Sequence, residues 1–453
     1  FEFLEFRTLG DRLAEALGSS AAIVTSGERD EIVAEVATID DAAAAAELIA
    51  GLDVLDVAGG WEGEPGRTAL TGLAVVTDGT VSEVAWLPAE VAGAPDVLAA
   101  LAAHPHVRGH NVKPLMRSLL AADADLTGLQ LDTAIAAYLI DPAEARYELA
   151  DLVAKFTRFA PPSDAPAVTG QLDLDGTSLG VAERVARDAL AVFHLADPIQ
   201  ASLAAQGMAD LYRTIENPLV RVLARMEHVG IGVDATALRA INARLTAEVD
   251  ALAAELRQVA GKPDLNLNSP NQLRALLYDE RGLSPVGVKK TKTGYSTDAQ
   301  TLEKLKDQWP EFIVPLLRHR ELEKLRGTYG EGLLHEVATD GRIHATFNQT
   351  VARTGRLSSD QPNLHNIPVR SDEGRVFRTA FVPAPGHVLL VADYNQIELR
   401  CIAHLAADPG LIEAFTGGQD IHNATAARVF GVDPGAVTLD QRSKAKMVSY
   451  GLA

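Results

Sequence analysis

Two stretches late in the 453-residue sequence hold residue types that can handle metal ions and phosphates. In the first, the apolar run Val388-Leu389-Leu390-Val391-Ala392 leads into Asp393, and Glu398 follows five positions on. Such a run reads as a buried strand that delivers Asp393 to an exposed edge, with Glu398 in the first turn of a helix. In the second, Arg442, Lys446 and Tyr450 recur every four residues, which places them on one helical face. Two cations and a ring in a row suit a nucleoside triphosphate, the cations meeting phosphate oxygens and the ring covering sugar or base. A carboxylate such as Asp393 supplies the hard oxygen that magnesium prefers.

The rest of the chain must position these groups. Its length implies roughly two or three domains. Formal charge is −20, but the excess is local: residues 1–210 hold 12 Lys and Arg against 33 Asp and Glu, whereas 211–453 hold 29 against 28. Binding to a phosphate backbone depends on local cation clusters, so the acidic half is a poor candidate and the neutral half stays open. The asymmetry also marks a boundary near residue 210. No apolar stretch approaches the ~20 residues of a membrane span and no basic, apolar leader opens the sequence, so a cytoplasmic protein without a membrane partner is expected. The only cysteine, Cys401, has apolar neighbours and reads as a packed core thiol.

Residues 1–210 read as a layered α/β domain. An Ala-rich helix is expected around 39–49, a hairpin from Gly72–Val76 and Val81–Leu87, and helices over 96–103, 114–122 and 132–139. Pro161 to Pro166 reads as a loop. Long amphipathic helices follow Asp210. The stretch 286–297, with Lys289, Lys290 and Lys292, reads as a basic loop that either is simply solvated or contacts a nucleic-acid backbone. Arg342 to Thr350 alternates like one strand and leads into turns holding Arg356 and Arg370.

Five separated motifs, Thr354–Ser359, Asn366–Arg370, Asp393–Arg400, Asp420-Ile421-His422 and Arg442–Tyr450, resemble those of the family A DNA polymerases in order and spacing. The resemblance runs over essentially the whole chain. It implies a linker from a 5′ nuclease domain at 1–20 and a ribonuclease H-like 3′–5′ exonuclease domain at 21–210. An incomplete right-hand polymerase follows at 211–453, with thumb about 230–335, palm about 336–403 and the start of the fingers at 404–453. It further implies a monomer that extends a primer on template DNA with dNTPs, using two Mg2+ ions that Mn2+ can replace. Asp393 and the Tyr394 carbonyl would bind metal, and Glu398 would exclude a ribose 2′-hydroxyl. Arg442, Lys446, Tyr450, His422 and Gln396 would hold the nucleotide, although a histidine packing a helix start is the competing reading of His422. Arg356, Arg370, Asn366 and the three loop lysines would meet DNA. Asn395 stands where serine is usual. The family's second metal-binding aspartate belongs to a His-Asp-Glu motif not found in this sequence, so this stretch alone is expected to be inactive in synthesis.

The exonuclease motifs of that family are degraded here. An Asp-x-Glu pair is expected where the sequence reads Asp56-Val57-Ala58-Gly59-Gly60; depending on a one-residue gap Asp56 takes the first ligand's place, with Ala58 or Gly59 then standing where the glutamate should be. Leu115 replaces a second aspartate, Arg184 replaces a tyrosine, and only Asp188 remains. One or two carboxylates cannot replace the hydration shell of a hard dication, so no proofreading is expected. A non-catalytic fragment that only grips primer-template DNA is the alternative function.

Overall fold

The computed structural model describes residues 29–160, 180–285, 287–291, 294–368, 372–418 and 420–452, with backbone only at 291 and 448–452. The linker at 1–20, the loop at 161–166, Lys292 and Arg370 lie outside these residues, as does the Tyr450 side chain. Two compact units divide the chain, Phe1–Pro383 and Ala384–Ala453.

The first unit begins with a six-stranded mixed sheet in the order β1-β4-β3-β2-β5-β6. Its strands are β1 (Glu35–Thr38), β2 (Leu55–Trp61), β3 (Leu70–Asp78), β4 (Glu83–Pro88), β5 (Val107–Gly109) and β6 (Leu129–Asp132). The expected hairpin is β3–β4, antiparallel, and its turn is fixed by Asp78, whose carboxylate accepts from the Thr80 N–H (2.9 Å) and hydroxyl (2.6 Å). The Ala-rich helix α1 (Ala42–Gly51) starts at Asp41, which caps it by accepting from Ala44 N–H. The other predicted helices are α2 (Pro95–Ala103), α3 (Lys113–Ala121) and α4 (Thr133–Ile140). Long α5 (Val181–Ala205) buries Val185, Ala189, Leu190 and Val192 in the cores of this layer. The α/β class inferred from the sequence is therefore the class observed.

Beyond α6 (Asn217–Val229), the long helix α7 (Ala235–Ala260) shares one apolar core with the three-stranded sheet β10-β7-β13 and a second with α8 (Pro310–Leu325). In that sheet β7 is Ile231–Val233, β10 is Arg342–Ile343 and β13 is Phe381–Val382. The segment read as one strand from Arg342 to Thr350 is two: β10 pairs with β7, whereas β11 (Thr346–Asn348) pairs with β12 (Ser358–Asp360). Alternation alone could not show this break, because both pieces keep the period of two. The basic loop closes into a two-residue hairpin, β8 (Lys290–Thr291) with β9 (Gly294–Tyr295). Lys289 and Lys290 are exposed, and the Lys290 ammonium lies 5.7 Å from the Tyr295 ring centre.

The second unit consists of α9 (Ile397–Leu405), α10 (Pro409–Thr416), α11 (Ile421–Phe430) and α12 (Leu439–Leu452). Two expectations fail here. Residues 387–394 form no strand, and Val388, Leu390 and Val391 are 87, 90 and 91% exposed. A strand needs a hydrogen-bonded neighbour, and the second unit has no described strand to pair with this run, so apolar patterning had nothing to act on. Cys401 is exposed rather than packed. Its helix buries Leu399 and Ala403, and a position two from each points away from that face.

Asp132 carries much local structure. Buried at the start of α4, its carboxylate accepts from the N–H groups of Asn111 (3.0 Å), Val112 (2.7 Å), Ala134 (3.0 Å) and Ile135 (3.3 Å). Burial pushes its pKa up against the pull of those four bonds. Asp132→Ala strands the buried donors and is expected to cost about 3 kcal/mol of unfolding free energy. Urea titration checks this, and a loss under about 1 kcal/mol would contradict it.

Candidate nucleotide site

Within the second unit, a cleft of about 430 Å³ is lined by Asp393, Tyr394, Asn395, Gln396, Ile397, Glu398, His422, Arg442 and Lys446. The sequence motifs around 393–398, 422 and 442–446 thus meet at one place. The turn that presents Asp393 is built backward from α9. Gln396 sits at the helix N-cap in the left-handed region (φ 54°), and its carbonyl accepts from Arg400 N–H at 3.1 Å. The Arg400 side chain donates from Nε to the Asn395 carbonyl at 3.0 Å, while its guanidinium lies 4.5 Å from the Phe415 ring centre on α10. Glu398 occupies the first turn of α9, where unpaired N–H groups favour an acidic side chain.

Asp420 joins the other two helices. Its carboxylate caps α11 by accepting from His422 N–H (2.9 Å) and Asn423 N–H (3.2 Å), and also accepts from Arg442 Nε (3.1 Å) and Nη2 (2.8 Å) on α12. Burial pushes the Asp420 carboxyl up, but the Arg442 bond and the capping N–H groups outweigh it and hold the pKa below the usual range. Lys446 follows Arg442 by one turn on the same face of α12, as the four-residue spacing predicts. The backbone continues as helix through residue 450. His422 is buried, and its pKa is lowered first by burial and then by Arg442 and Lys446, against the opposing pull of Asp420.

The acidic groups of the cleft are Asp393 and Glu398, both exposed. Among the described residues, no group of three or more His, Cys, Asp or Glu side chains could hold a metal ion. The residues present therefore do not complete a site for two divalent cations; beside the two carboxylates the cleft carries the cations Arg442 and Lys446. Asp420 is the residue that sequence reasoning missed. Its place before a helix signalled a cap, but its pairing with Arg442, 22 residues away, left no local trace.

In the first unit, Arg356 and Asn366 are exposed, on the β11–β12 connection and a short 3₁₀ turn (Leu364–Asn366). The Asn366 carbonyl accepts from the Tyr329 hydroxyl. A separate cavity of about 280 Å³ brings together Val57, Ala58, Gly59, Leu115 and Asp188, from the segments set against the family's exonuclease motifs, with Glu148 and His110 beside them. Burial holds the His110 imidazole down to about 4. Asp56, a candidate for the first ligand's place only under a one-residue gap, does not line this cavity. It is tied across β2 and β5 to Arg108, Nε to Oδ1 at 2.8 Å and Nη2 to Oδ2 at 2.5 Å.

The His422 imidazole should be neutral at pH 7. Unfolded, it takes up a proton near its ordinary value of 6.5, which the folded site disfavours. Its contribution thus favours folding above pH 6.5 and is lost as pH falls through the depressed folded value. An NMR titration should place its midpoint below 6.5, and Arg442→Gln should raise it. An unchanged midpoint in that variant would contradict the assignment of Arg442 as a cause.

Residues 235–453 match the family model for DNA polymerase family A. The chain is 43% identical over 348 residues to DNA polymerase I of Mycobacterium tuberculosis (strain ATCC 25618 / H37Rv), covering 76% of this chain and 38% of that protein. It is 37% identical over 481 aligned positions to DNA polymerase I of Mycobacterium leprae (strain TN), covering 100% and 51%. The chain thus spans about half, or less, of the length of these relatives. The solved POL domain of Pol1 from M. smegmatis, in complex with DNA primer-template and dNTP, superposes with a TM-score of 0.79 at 36% identity over 92% of this chain and 71% of that one. Five motifs in order, a cleft that gathers three of them and this likeness over nearly the whole chain agree: the chain belongs to DNA polymerase family A.

Proposed function

We propose that this chain forms the nucleotide- and DNA-holding part of a DNA-templated DNA polymerase that adds dNTPs to a primer 3′ end, in repair and replication gap filling. The carrying observation is the cleft itself, in which Arg442, Lys446 and His422 face Asp393 and Glu398. Cations at helical spacing suit a triphosphate, and a neutral imidazole retains one N–H to donate to a phosphate oxygen. Gln396 would help to seat the nucleotide. Glu398 acts as the sugar gate, its side chain taking the space a ribose 2′-hydroxyl would need. Tyr450 covers the sugar, and its hydroxyl tolerates a chain-terminating nucleotide.

Mg2+ is the proposed cofactor of the complete enzyme, with Mn2+ able to substitute. Asp393 and the Tyr394 carbonyl would be this chain's share of the ligands. Primer-template DNA is the proposed partner, met by Arg356, Arg370, Asn366, Lys289, Lys290 and Lys292 through backbone and duplex shape rather than sequence. The working form would be a monomer in the bacterial cytoplasm, at the nucleoid. In keeping with this, no described helix is long and apolar enough to cross a membrane. The proposed domains are those drawn from the sequence, 21–210 for the exonuclease-like region and 211–453 for the polymerase.

Proofreading is proposed to be absent. The cavity that gathers the old motif positions offers Asp188 and Glu148 where a two-metal nuclease needs four carboxylates. Magnesium-dependent 3′ trimming that disappears in Asp188→Ala would overturn this.

Primer extension by the complete parent protein tests the polymerase reading. Asp393→Ala should reduce the rate by at least about 10³-fold, the scale expected when a group stabilising transition-state charge is lost. Glu398→Ala should keep dNTP incorporation and gain ribonucleotide incorporation, and Tyr450→Phe should discriminate more strongly against dideoxynucleotides. Full activity in Asp393→Ala would instead favour a module that only holds primer-template.

A further inference from the structure

The hairpin β11–β12 pairs three residues with three, and a long connection joins them. A two-stranded hairpin of that size is marginal by itself, and closing a loop of this length adds an entropic cost. Yet this hairpin carries Thr354 to Ser359 and leads into Asn366, the segments assigned to DNA. What holds it comes largely from the acidic half of the chain.

Arg67, in the loop after β2, donates from Nη2 to three oxygens of the hairpin region: the His344 carbonyl (2.9 Å), the Thr346 hydroxyl (2.9 Å) and the Gln361 carbonyl (3.1 Å). Gln361 lies at a φ of 49°, unusual for a residue other than glycine. The loop itself is docked on α3, where Gly66, at a φ of 71°, leaves no room for a Cβ, which would lie 2.8 Å from Pro114 Cα. One turn into the hairpin, both polar groups of the Phe347 peptide unit are taken. Its N–H donates to Glu227 Oε1 at 2.7 Å, and its carbonyl accepts from Lys113 Nζ at 2.7 Å. Glu227, on α6, is fully buried between Lys113 and Arg117 of α3, with Arg117 Nη1 3.1 Å from Oε2. Tyr138 on α4 donates to the Ala352 carbonyl at 2.8 Å.

We propose that Arg67 and the Lys113–Glu227–Arg117 cluster are positioning residues for primer-template binding: the exonuclease-like half, together with Glu227 of α6, brackets the hairpin so that residues 354–359 are presented to DNA. This rests on the polymerase reading above. A buried carboxylate between two cations is costly to break and gives a single arrangement, which suits a bracket. The bracket also gives the exonuclease-like half a use that needs no metal ligands.

The test is made in the complete parent polymerase with Arg67→Ala, Arg67→Lys and Thr346→Val, which removes one acceptor without touching charge. Arg67→Ala should raise the dissociation constant for a primer-template duplex roughly tenfold, the low end for one charged hydrogen bond, and Thr346→Val about threefold, the low end for a neutral one. The maximal extension rate at saturating DNA and the dNTP KM should stay within about twofold of the parent, since the bracket touches neither. Amide hydrogen exchange should quicken over residues 344–361 and remain unchanged over 397–416. Arg67→Lys, which keeps the charge and one reach, should recover part of the affinity. Parental DNA affinity in both Arg67→Ala and Thr346→Val, or a loss of maximal rate without loss of affinity, would overturn the proposal. Asp393→Ala run alongside separates the two readings. If it is inactive while Arg67→Ala binds like the parent, only the bracket fails; if it extends primers at the parental rate, the polymerase reading fails.

Discussion

A single carboxylate, Asp420, does two jobs in the second unit, and the candidate site depends on their coincidence. It caps α11 through two N–H groups and clasps the guanidinium of Arg442 at the first turn of α12. The capping bonds fix where the carboxylate lies, so the arginine is fixed in turn, and the helical repeat then sets Lys446 beside it. Paired in this way, Arg442 is pre-ordered but not neutralised beyond use, because the pair is over a third exposed and screened by solvent. Under the proposed reading, a triphosphate would meet an Arg442 guanidinium that has already given up much of its conformational freedom.

The opposite wall is held by a different device. Arg400 bonds the Asn395 carbonyl and lies over Phe415, so the turn that presents Asp393 is braced by the helix that follows it. This also gives a physical account of a departure from the family pattern. At position 395 the structure uses the backbone carbonyl, which serine and asparagine both possess. Upstream of that turn, residues 387–394 are exposed and form no strand.

Much of this was legible in the sequence where local rules govern. The α1 to α4 helices and the β3–β4 hairpin followed from apolar spacing and turn residues, and the register of Arg442 with Lys446 followed from helical repeat. What stayed hidden was set by partners distant in sequence. The Val388 to Asp393 run has the composition of a buried strand, but composition does not supply a neighbouring ladder. Cys401 has apolar neighbours along the chain, yet helix geometry turns it outward. Asp56, a candidate ligand only under a one-residue gap, is instead bound to Arg108 on the neighbouring strand, a partner 52 residues away. The Arg67 and Glu227 contacts, spanning more than a hundred residues, left no mark in either local sequence. They also tie residues before position 210 to the polymerase half: Arg67 and Lys113, with the buried Glu227 of α6, complete the hydrogen bonding of a hairpin distant in sequence.

The most direct measurement is a crystal structure of the complete parent protein with primer-template, dATP and Mn2+, the ion being visible by anomalous scattering. The account predicts the Asp393 carboxylate and the Tyr394 carbonyl on manganese, with Arg442 and Lys446 on the triphosphate oxygens. A nucleotide bound elsewhere, with Asp393 turned away from every metal peak, would contradict it.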